Sequence, residues 1–490
     1  MKVLYLYLLI FPFLLLAETS NHLLQGILIT SKNEQLASVE GIHFTQIEVP
    51  NQKKLMQKLQ PFLNTKISMD LMNQVRNEIH SHFQNEGYPV LNVSLPVFQD
   101  LSQGSIAMVV NVSTVGNRVA EGGKYISENQ ILSSLRIKQG DMLHIDTIKE
   151  DVQKINRNPY VSTKVLLKKG EKSNTTDLQV QIKDRIPISV FTGGSYNGYQ
   201  VAGDYRGFAK FQWGNLFGKN QIVSYLVRSA EQYHKWHSHQ VKYSADIFNQ
   251  DHLNVMGTYS YSEPPREKQI KTIGKSYSMA LDYALTSLLK DLKVGYRFLR
   301  TNNFLSYEKK LIFNKYIDDS QFSISHSLHS KKANYQMSLN NRFVVSPGGM
   351  SKYNTVNEFN EERLGADSRY YYYRGKLNFN YQMNQFMSYN LKGFAQATTQ
   401  KLIPVNCLSL CGMSAVRGYK ENQYAVDSGA FVRNELNYSS SWMNLFSKKV
   451  KNVAGLFVDT GIGMGTIYKD IQKPFVASIG LSHQLAVLKW

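Results

Sequence analysis

Residues 377–384 read Leu377-Asn378-Phe379-Asn380-Tyr381-Gln382-Met383-Asn384, four apolar or aromatic side chains alternating with four amides. Successive side chains of a β-strand point to opposite faces, so this period of two describes a strand with one greasy face and one polar face. Leu253, Val255, Gly257, Tyr259 and Tyr261 do the same against Asn254, Thr258 and Ser260, with Met256 the exception. From Ser189 onward the chain is made of ~8–13-residue stretches of this kind separated by turns, the signature of an outer-membrane β-barrel with lipid on one face and a polar lumen on the other. A soluble β-sandwich also alternates. An export signal in front of residues 187–490 favours the barrel.

That signal is Met1-Lys2 followed by the apolar stretch Val3 to Ala17, which closes on a small residue and reads as a secretory signal peptide over residues 1–17. An anchor helix is the alternative, but the stretch is short against the ~20 residues a spanning helix needs. No other apolar run approaches ~18 residues, which excludes a helical membrane protein. Two cysteines in 490 residues exclude a disulfide scaffold.

The basic excess and the tyrosines divide the chain in the same place. Residues 18–186 carry 19 basic and 17 acidic groups, whereas residues 187–490 carry 36 and 20. Five of the 30 tyrosines precede residue 187. Basic surface can mean nucleic acid, but here it belongs to an exported, alternating segment, so no nucleic-acid partner is expected. Outer-membrane lipid and lipopolysaccharide headgroups, or a solvated channel wall, are the better neighbours.

Ahead of Arg185-Ile186-Pro187 the pattern changes. Residues 41–113 read as strand, helix, helix, strand, strand. Leu71, Val75, Ile79 and Phe83 recur every four residues, with Met72 beside them, and Gly87-Tyr88-Pro89 ends that helix. Leu91, Val93 and Leu95, then Ile106, Met108, Val110 and Val112, supply two alternating strands. Residues 114–186 repeat the order: a helix near Ser127 to Leu135, a second carrying Ile148, Val152 and Ile155, a break at Asn158-Pro159, and strands at Thr163–Leu167 and around Leu178, Val180 and Ile182. These are two small α+β units. Residues 18–40 form an N-terminal segment in which Leu23–Thr30 alternate poorly and fit an extra strand as well as a linker.

About fourteen strands are counted from Ser189 to the end. If the first rises from the periplasm, connections after odd strands are extracellular and long. Glu263–Ser276, Pro347–Ser368 and Lys401–Asp427 follow strands five, nine and eleven, while Phe248–Asp251 and Asn384–Phe386 are short.

The eleventh connection contains Val416-Arg417-Gly418-Tyr419, and about 40 residues later a strand contains Phe457-Val458-Asp459-Thr460-Gly461. Together these resemble the VRGY-type loop and FxDxG strand of two-partner secretion outer-membrane transporters, the TpsB family of haemolysin secretion/activation proteins. Gly87-Tyr88-Pro89, Leu95-Pro96 with Gln99-Asp100, Asn156-Arg157-Asn158-Pro159-Tyr160, Thr176-Asp177-Leu178 and Trp213-Gly214-Asn215-Leu216-Phe217-Gly218 follow that family's pattern in order, from about residue 41 to the end. The resemblance implies two periplasmic POTRA domains, residues 41–113 and 114–186, followed by a transmembrane antiparallel β-barrel over 187–490. It implies export of a large β-helical partner exoprotein of haemolysin or adhesin type, the POTRA domains capturing the unfolded cargo, and insertion into the outer membrane by the barrel assembly machinery.

It also implies a pairing. Arg417 at the tip of a loop folded into the lumen would meet Asp459 on the wall, a planar bidentate contact that fixes orientation as well as energy. Gly418 would turn the chain tightly, and Gly461 would leave room beside the wall. Cys407 and Cys411 lie in the same connection, and two states stay open: a local disulfide, or two reduced thiols. The stretch offers too few ligands for zinc, and no metal or cofactor is expected.

The chain departs from the family in two ways. The 23 residues from 18 to 40 are short for the family's plug helix and linker. The family closes with sixteen strands, with three more after the FxDxG strand, whereas 25 residues follow Gly465 and only Val476–Trp490 reads as a strand. The expectation is a chain that stops early or closes in an unusual way, with Trp490 as a terminal aromatic in a complete barrel the other reading. No nucleophile–base pair or phosphate loop stands out, so the chain reads as a translocase and not an enzyme. An outer-membrane barrel assembly factor is the related alternative, and a diffusion porin or surface adhesin the rival from another class.

Overall fold

The computed structural model describes residues 22–32, 38–96, 99–199, 203–247, 251–264, 270–286, 288–289, 291–308, 310–445, 448–467 and 473–487. The signal peptide and Trp490 lie outside the described residues. The chain divides into two compact units between Arg185 and Ile186.

The first unit opens with β1 (Gly26–Thr30), β2 (Gly41–Thr45), α1 (Gln52–Leu59), α2 (Met69–Asn85), β3 (Leu91–Ser94) and β4 (Ser105–Val112). Its sheet runs β2-β1-β4-β3, with β1 parallel to both neighbours and β3 antiparallel to β4. The repeat that the sequence starts at Gly41 therefore takes in β1 as an inner strand. All five residues of β1 are buried. A strand covered on both faces carries a continuous apolar run, which is why Ile27-Leu28-Ile29 lacks alternation. Gly26 is required there, because a Cβ would lie 1.8 Å from the Val39 carbonyl oxygen. Helix α2 begins at Ser68, whose hydroxyl accepts from the Leu71 amide at 3.1 Å, and its stripe Leu71, Met72, Val75, Ile79 and Phe83 is buried.

The second repeat comprises β5 (Thr114–Glu121), α3 (Glu128–Ser133), α4 (Ile145–Ile155), β6 (Val161–Lys169) and β7 (Thr175–Asp184), with sheet order β5-β7-β6. Gly87-Tyr88 joins the repeats: the Ile145 amide donates to the Gly87 carbonyl at 2.8 Å, and the Tyr88 ring meets His144 edge-on at 5.1 Å. Gly87 has φ +97°, and a Cβ there would stand 2.6 Å from His144 Nε2.

The second unit is one antiparallel sheet. Its strands are β8 (Ile188–Tyr199), β9 (Gly203–Leu216), β10 (Gln221–Ala230), β11 (Trp236–Ile247), β12 (Asp251–Ser262), β13 (Ile270–Ala284), β14 (Leu292–Tyr307), β15 (Lys310–Lys331) and β16 (Tyr335–Pro347). A short helix, α5 (Val356–Glu362), precedes β17 (Arg369–Gln382) and β18 (Met387–Ala397). The two-residue β19 (Leu408–Ser409) is followed by β20 (Ala425–Leu445), β21 (Lys448–Thr466) and β22 (Phe475–Val487). Among the described residues fourteen long strands pair in chain order, and β19 adds to β20. Among the described residues no ladder joins β8 to β22.

Alternation sorts the two faces. On β21, Leu456, Val458, Ile462 and Met464 are 49, 43, 59 and 57 % exposed, whereas Gly455, Asp459, Gly461 and Gly463 are buried. An exposed apolar face opposite a buried polar one is the arrangement of a wall in lipid. The longest connections are residues 348–368, after the ninth long strand, and 398–424, after the eleventh. The connection after the fifth is shorter than the sequence suggests, because β13 starts at Ile270 and not beyond Ser276. Lys271 and Lys275 look loop-like by charge, yet the ladder to β14 runs unbroken from Ile270↔Tyr307 and Lys271 meets Glu263 at 3.3 Å.

Candidate functional site

The connection 398–424 lies against the polar face of the sheet. Its middle is tied down by β19, where Leu408 and Ser409 pair with Val426 and Ala425 of β20. Leu410, Cys411, Ala415 and Val416 then pack with Val426, Phe431 and Val476, so an apolar seam seats the loop on the wall. Val416 fits because Gly461 has no side chain: a Cβ on Gly461 would sit 3.1 Å from both Val416 Cγ2 and Val476 Cγ2.

Beyond Val416 the chain delivers Arg417 to the wall. Its Nε donates to Asp459 Oδ2 at 2.7 Å, its Nη2 to Asp459 Oδ1 at 2.9 Å, and its backbone amide to Oδ2 at 3.2 Å. Asp459 is completely buried. The structure thus brings together the two residues singled out in the sequence, in the two-point geometry that gives an arginine–carboxylate pair its direction. Phe457, two positions along the same face of β21, lies under the guanidinium, whose Cζ is 3.6 Å from the ring centroid. Gly418 follows with φ +86°. Tyr419 Oη donates to the Ala477 carbonyl of β22 at 3.0 Å.

Two further anchors escaped the sequence reading. The first is Glu435 on β20, whose Oε2 accepts from Arg417 Nη1 at 2.6 Å. Arg433 and Glu435 share a strand face, so the alternation around the polar positions of Phe431-Val432-Arg433-Asn434-Glu435 was the available signal. The second is Asn406, buried at the loop's base. Its Oδ1 accepts from Arg297 Nη2 at 2.8 Å and Gln321 Nε2 at 2.9 Å, and its Nδ2 donates to Asp319 Oδ2 at 3.1 Å and the Tyr370 hydroxyl at 2.9 Å. Nothing in the local sequence marks Asn406, because its partners come from strands 36 to 109 residues away.

Cys407 and Cys411 are both free thiols in this structure, one of the two states the sequence leaves open. The extended pair Leu408–Ser409 lies between them. Cys407 Sγ instead lies 3.6 Å from Asp427 Oδ1 and from Arg363 Nη1. Burial pushes both thiols above their ordinary range. Among the described residues no group of three or more His, Cys, Asp or Glu side chains is placed to hold a metal.

Residues 174–485 match the haemolysin secretion/activation protein family ShlB/FhaC/HecB, residues 38–112 the ShlB-type POTRA domain, and residues 113–185 a POTRA model described as a surface antigen variable number repeat. The heme/hemopexin transporter protein HuxB of Haemophilus influenzae (strain 86-028NP) is 22 % identical over 434 residues, covering 84 % of this chain and 73 % of that one. The outer membrane transporter CdiB of Escherichia coli O6:K15:H31 is 22 % identical over 471 residues, covering 91 % and 76 %. Among solved structures, CdiB from Escherichia coli superposes with a TM-score of 0.75 at 16 % identity, over 94 % of this chain and 84 % of that one. CdiB from Acinetobacter baumannii does so with 0.68 at 15 %, over 94 % and 83 %. Two POTRA domains followed by a barrel-type sheet, with an arginine loop clamped on its polar face, place the chain in the ShlB/FhaC/HecB family of haemolysin secretion/activation proteins.

Proposed function

We propose that this chain is an outer-membrane translocase that secretes a partner exoprotein of the large β-helical, haemolysin or adhesin type, and that it carries out no chemical reaction. The observation that carries this reading is the coupling of two POTRA repeats to a sheet whose polar face is occupied by a clamped loop. A pore for passive diffusion has no use for the repeats, and a permanently wedged loop would only obstruct it. In a translocase the repeats gather the unfolded partner in the periplasm, and the loop yields or re-seats as the chain passes.

The repeats suit capture of an extended segment by strand addition, since β2, β3 and β6 each pair on one side only, whereas residues 140–142 cover the start of β5. Strand β6 is the longest of these edges, and Lys164, Lys168 and Lys169 along it blunt self-association without blocking a peptide. We take residues 41–113 and 114–186, with β1 added to the first, as the two capture modules. The outward face of β10–β13, where Tyr225, Tyr277 and Met279 stand exposed, is assigned to lipid and lipopolysaccharide. Insertion is assigned to the barrel assembly machinery.

The decisive experiment deletes residues 41–186. A translocase stops secreting its partner, encoded by a neighbouring frame for a β-helical exoprotein, while its barrel still inserts. A porin continues to pass solutes unchanged, and an assembly factor lowers the level of other barrels instead.

A further inference from the structure

Beneath the clamped loop, the polar face of β16–β20 carries more positive charge than the structure neutralises. Arg342, Arg374 and Gln396 lie in one row across β16, β17 and β18. Asn378, Lys392, Arg433 and Asp459 form another across β17, β18, β20 and β21, with Lys376 between the rows. The carboxylates nearby are spent: Asp459 and Glu435 on Arg417, Asp319 on Arg297, and Asp427 on Arg363. Arg433 is left 3.8 Å from Asp459. Among the described residues Arg342, Arg374, Lys376 and Lys392 have no carboxylate within salt-bridge distance. Arg374 donates only to the neutral oxygens of Gln396 and Asn406, and the Nε atoms of Arg342 and Arg433 are buried with no acceptor.

Four of these cations, Arg374, Lys376, Lys392 and Arg433, line a cavity of about 590 Å³ between the wall and the loop, with no acidic residue in its lining. Arg342, Arg374 and Arg433 are half-buried and repel one another unless an anion joins them, and the exposed Lys376 and Lys392 add to that charge. The spacing suggests which anion. Arg374 and Lys376 are two apart on one strand, about 7 Å, which is also the distance between alternate side chains of any extended peptide.

We propose that this wall is a binding track for the carboxylates of an extended, acidic segment of the transported protein. The inference rests on the translocase reading and names the substrate chemistry that the reading leaves open. The track sits beside the loop anchor, so an acidic segment entering it competes with Asp459 and Glu435 for Arg417 and Arg433. Arrival of cargo would thereby loosen the clamp at the place where the loop must move.

The test uses the full chain in planar bilayers at about 0.1 M KCl, where charges act across a Debye length of about 10 Å. The probes are oligoglutamate and an uncharged oligoserine of equal length. Oligoglutamate added from the periplasmic side should block the current at a concentration at least about tenfold lower than oligoserine, and the preference should vanish at about 1 M salt. Replacing Lys376 and Lys392 together by Gln should raise the half-blocking concentration of oligoglutamate severalfold and leave that of oligoserine unchanged. Equal block by the two peptides overturns the proposal, as does a stronger block by tripolyphosphate, which would assign the wall to phosphate. The two-peptide and salt contrasts need no variant, so a substituted chain that fails to insert does not protect the idea. Intact secretion of the partner without any glutamate preference removes this inference alone, whereas an unsubstituted chain that secretes nothing removes the translocase reading.

Discussion

Arg363 and Asp427, 64 residues apart, meet in a two-point ion pair, Nη1 to Oδ1 at 2.5 Å and Nη2 to Oδ2 at 2.8 Å. The same guanidinium donates to the carbonyls of Leu402 at 2.6 Å and Gly465 at 3.0 Å. Asp427 Oδ1 in turn accepts from the Leu402 amide at 2.9 Å. One arginine from the connection 348–368 thus holds the base of the connection 398–424, the start of β20 and the end of β21. Phe359 of α5 packs with Leu402 and Ile403 in the same region, so the two long connections are joined by an apolar contact as well as an ionic one. They should move as one body.

Removing one partner of so buried a pair leaves the other charge stranded, at a cost of about 3–5 kcal/mol. Arg363→Met should leave the strand ladders and membrane insertion intact while freeing both connections. Trypsin added to whole cells should then cut at Arg369 or Lys401 faster than it does in the unsubstituted chain, and single channels should open more often. Unchanged protease resistance in an inserted Arg363→Met barrel would show that the apolar contacts suffice.

The pair Arg417 and Asp459 predicts a different phenotype, because it anchors the tip and not the base. Arg417→Ala should leave the barrel inserted and lower secretion strongly, with altered conductance. Exchanging the charges, Arg417→Asp with Asp459→Arg, should restore part of the loss if the contact is pairwise. Glu435 limits that rescue: it accepts from the native Arg417 but would repel an aspartate in its place. Adding Glu435→Gln to the exchanged pair should therefore improve it, as measured by secreted partner at equal barrel levels.

Much of this architecture is legible in period-2 patterns, and the exceptions have physical causes. Leu377-Asn378-Phe379-Asn380 announces a wall strand because its two faces meet different solvents. Ile27-Leu28-Ile29 hides a strand because both of its faces meet protein. Arg417 and Asp459 were visible through a family pattern, whereas Glu435 and Asn406 depend on which strands lie beside the loop, information carried by topology and not by local sequence. Arg363 was invisible for the same reason: an arginine between a short helix and a strand reads as solvated until Asp427 is brought to it.

Gly26 gives a test of the added strand. A Cβ at this position would stand 1.8 Å from the Val39 carbonyl oxygen, a backbone atom that cannot swing aside, whereas one at Gly41 would meet nothing within 4 Å. Gly26→Ala should therefore displace β1 and open the first repeat. Gly41→Ala acts only through its φ of +80°, so its effect should be smaller. Limited proteolysis of the full chain in detergent should show cleavage between residues 22 and 113 for the first variant at denaturant levels the second withstands. Equal sensitivity would mean that β1 contributes little to the repeat.

Asn406 supplies the sharpest single-atom test, because the amide is used from both ends. Its Oδ1 accepts from Arg297 and Gln321 while its Nδ2 donates to Asp319 and Tyr370, so no other side chain of that size satisfies all four. Asn406→Asp changes one atom, yet it turns the donor facing the buried Asp319 carboxylate into a second acceptor. Like charges held that close cannot both remain ionised, so the loop base should lift from β15 or take up a proton to stay. The loop should be better seated in mildly acidic buffer, where the added carboxyl can be protonated, than near neutrality. Asn406→Leu offers no such rescue, because it loses the hydrogen bonds at every pH. The measurement is trypsin cleavage at Lys401 across a pH series in intact membranes: release that reverses on acidification for Asn406→Asp and persists for Asn406→Leu is expected. An Asn406→Asp loop that stays protected at neutral pH would mean that the Asp319–Tyr370–Arg297 network can absorb a second carboxylate, and that Asn406 is not its keystone.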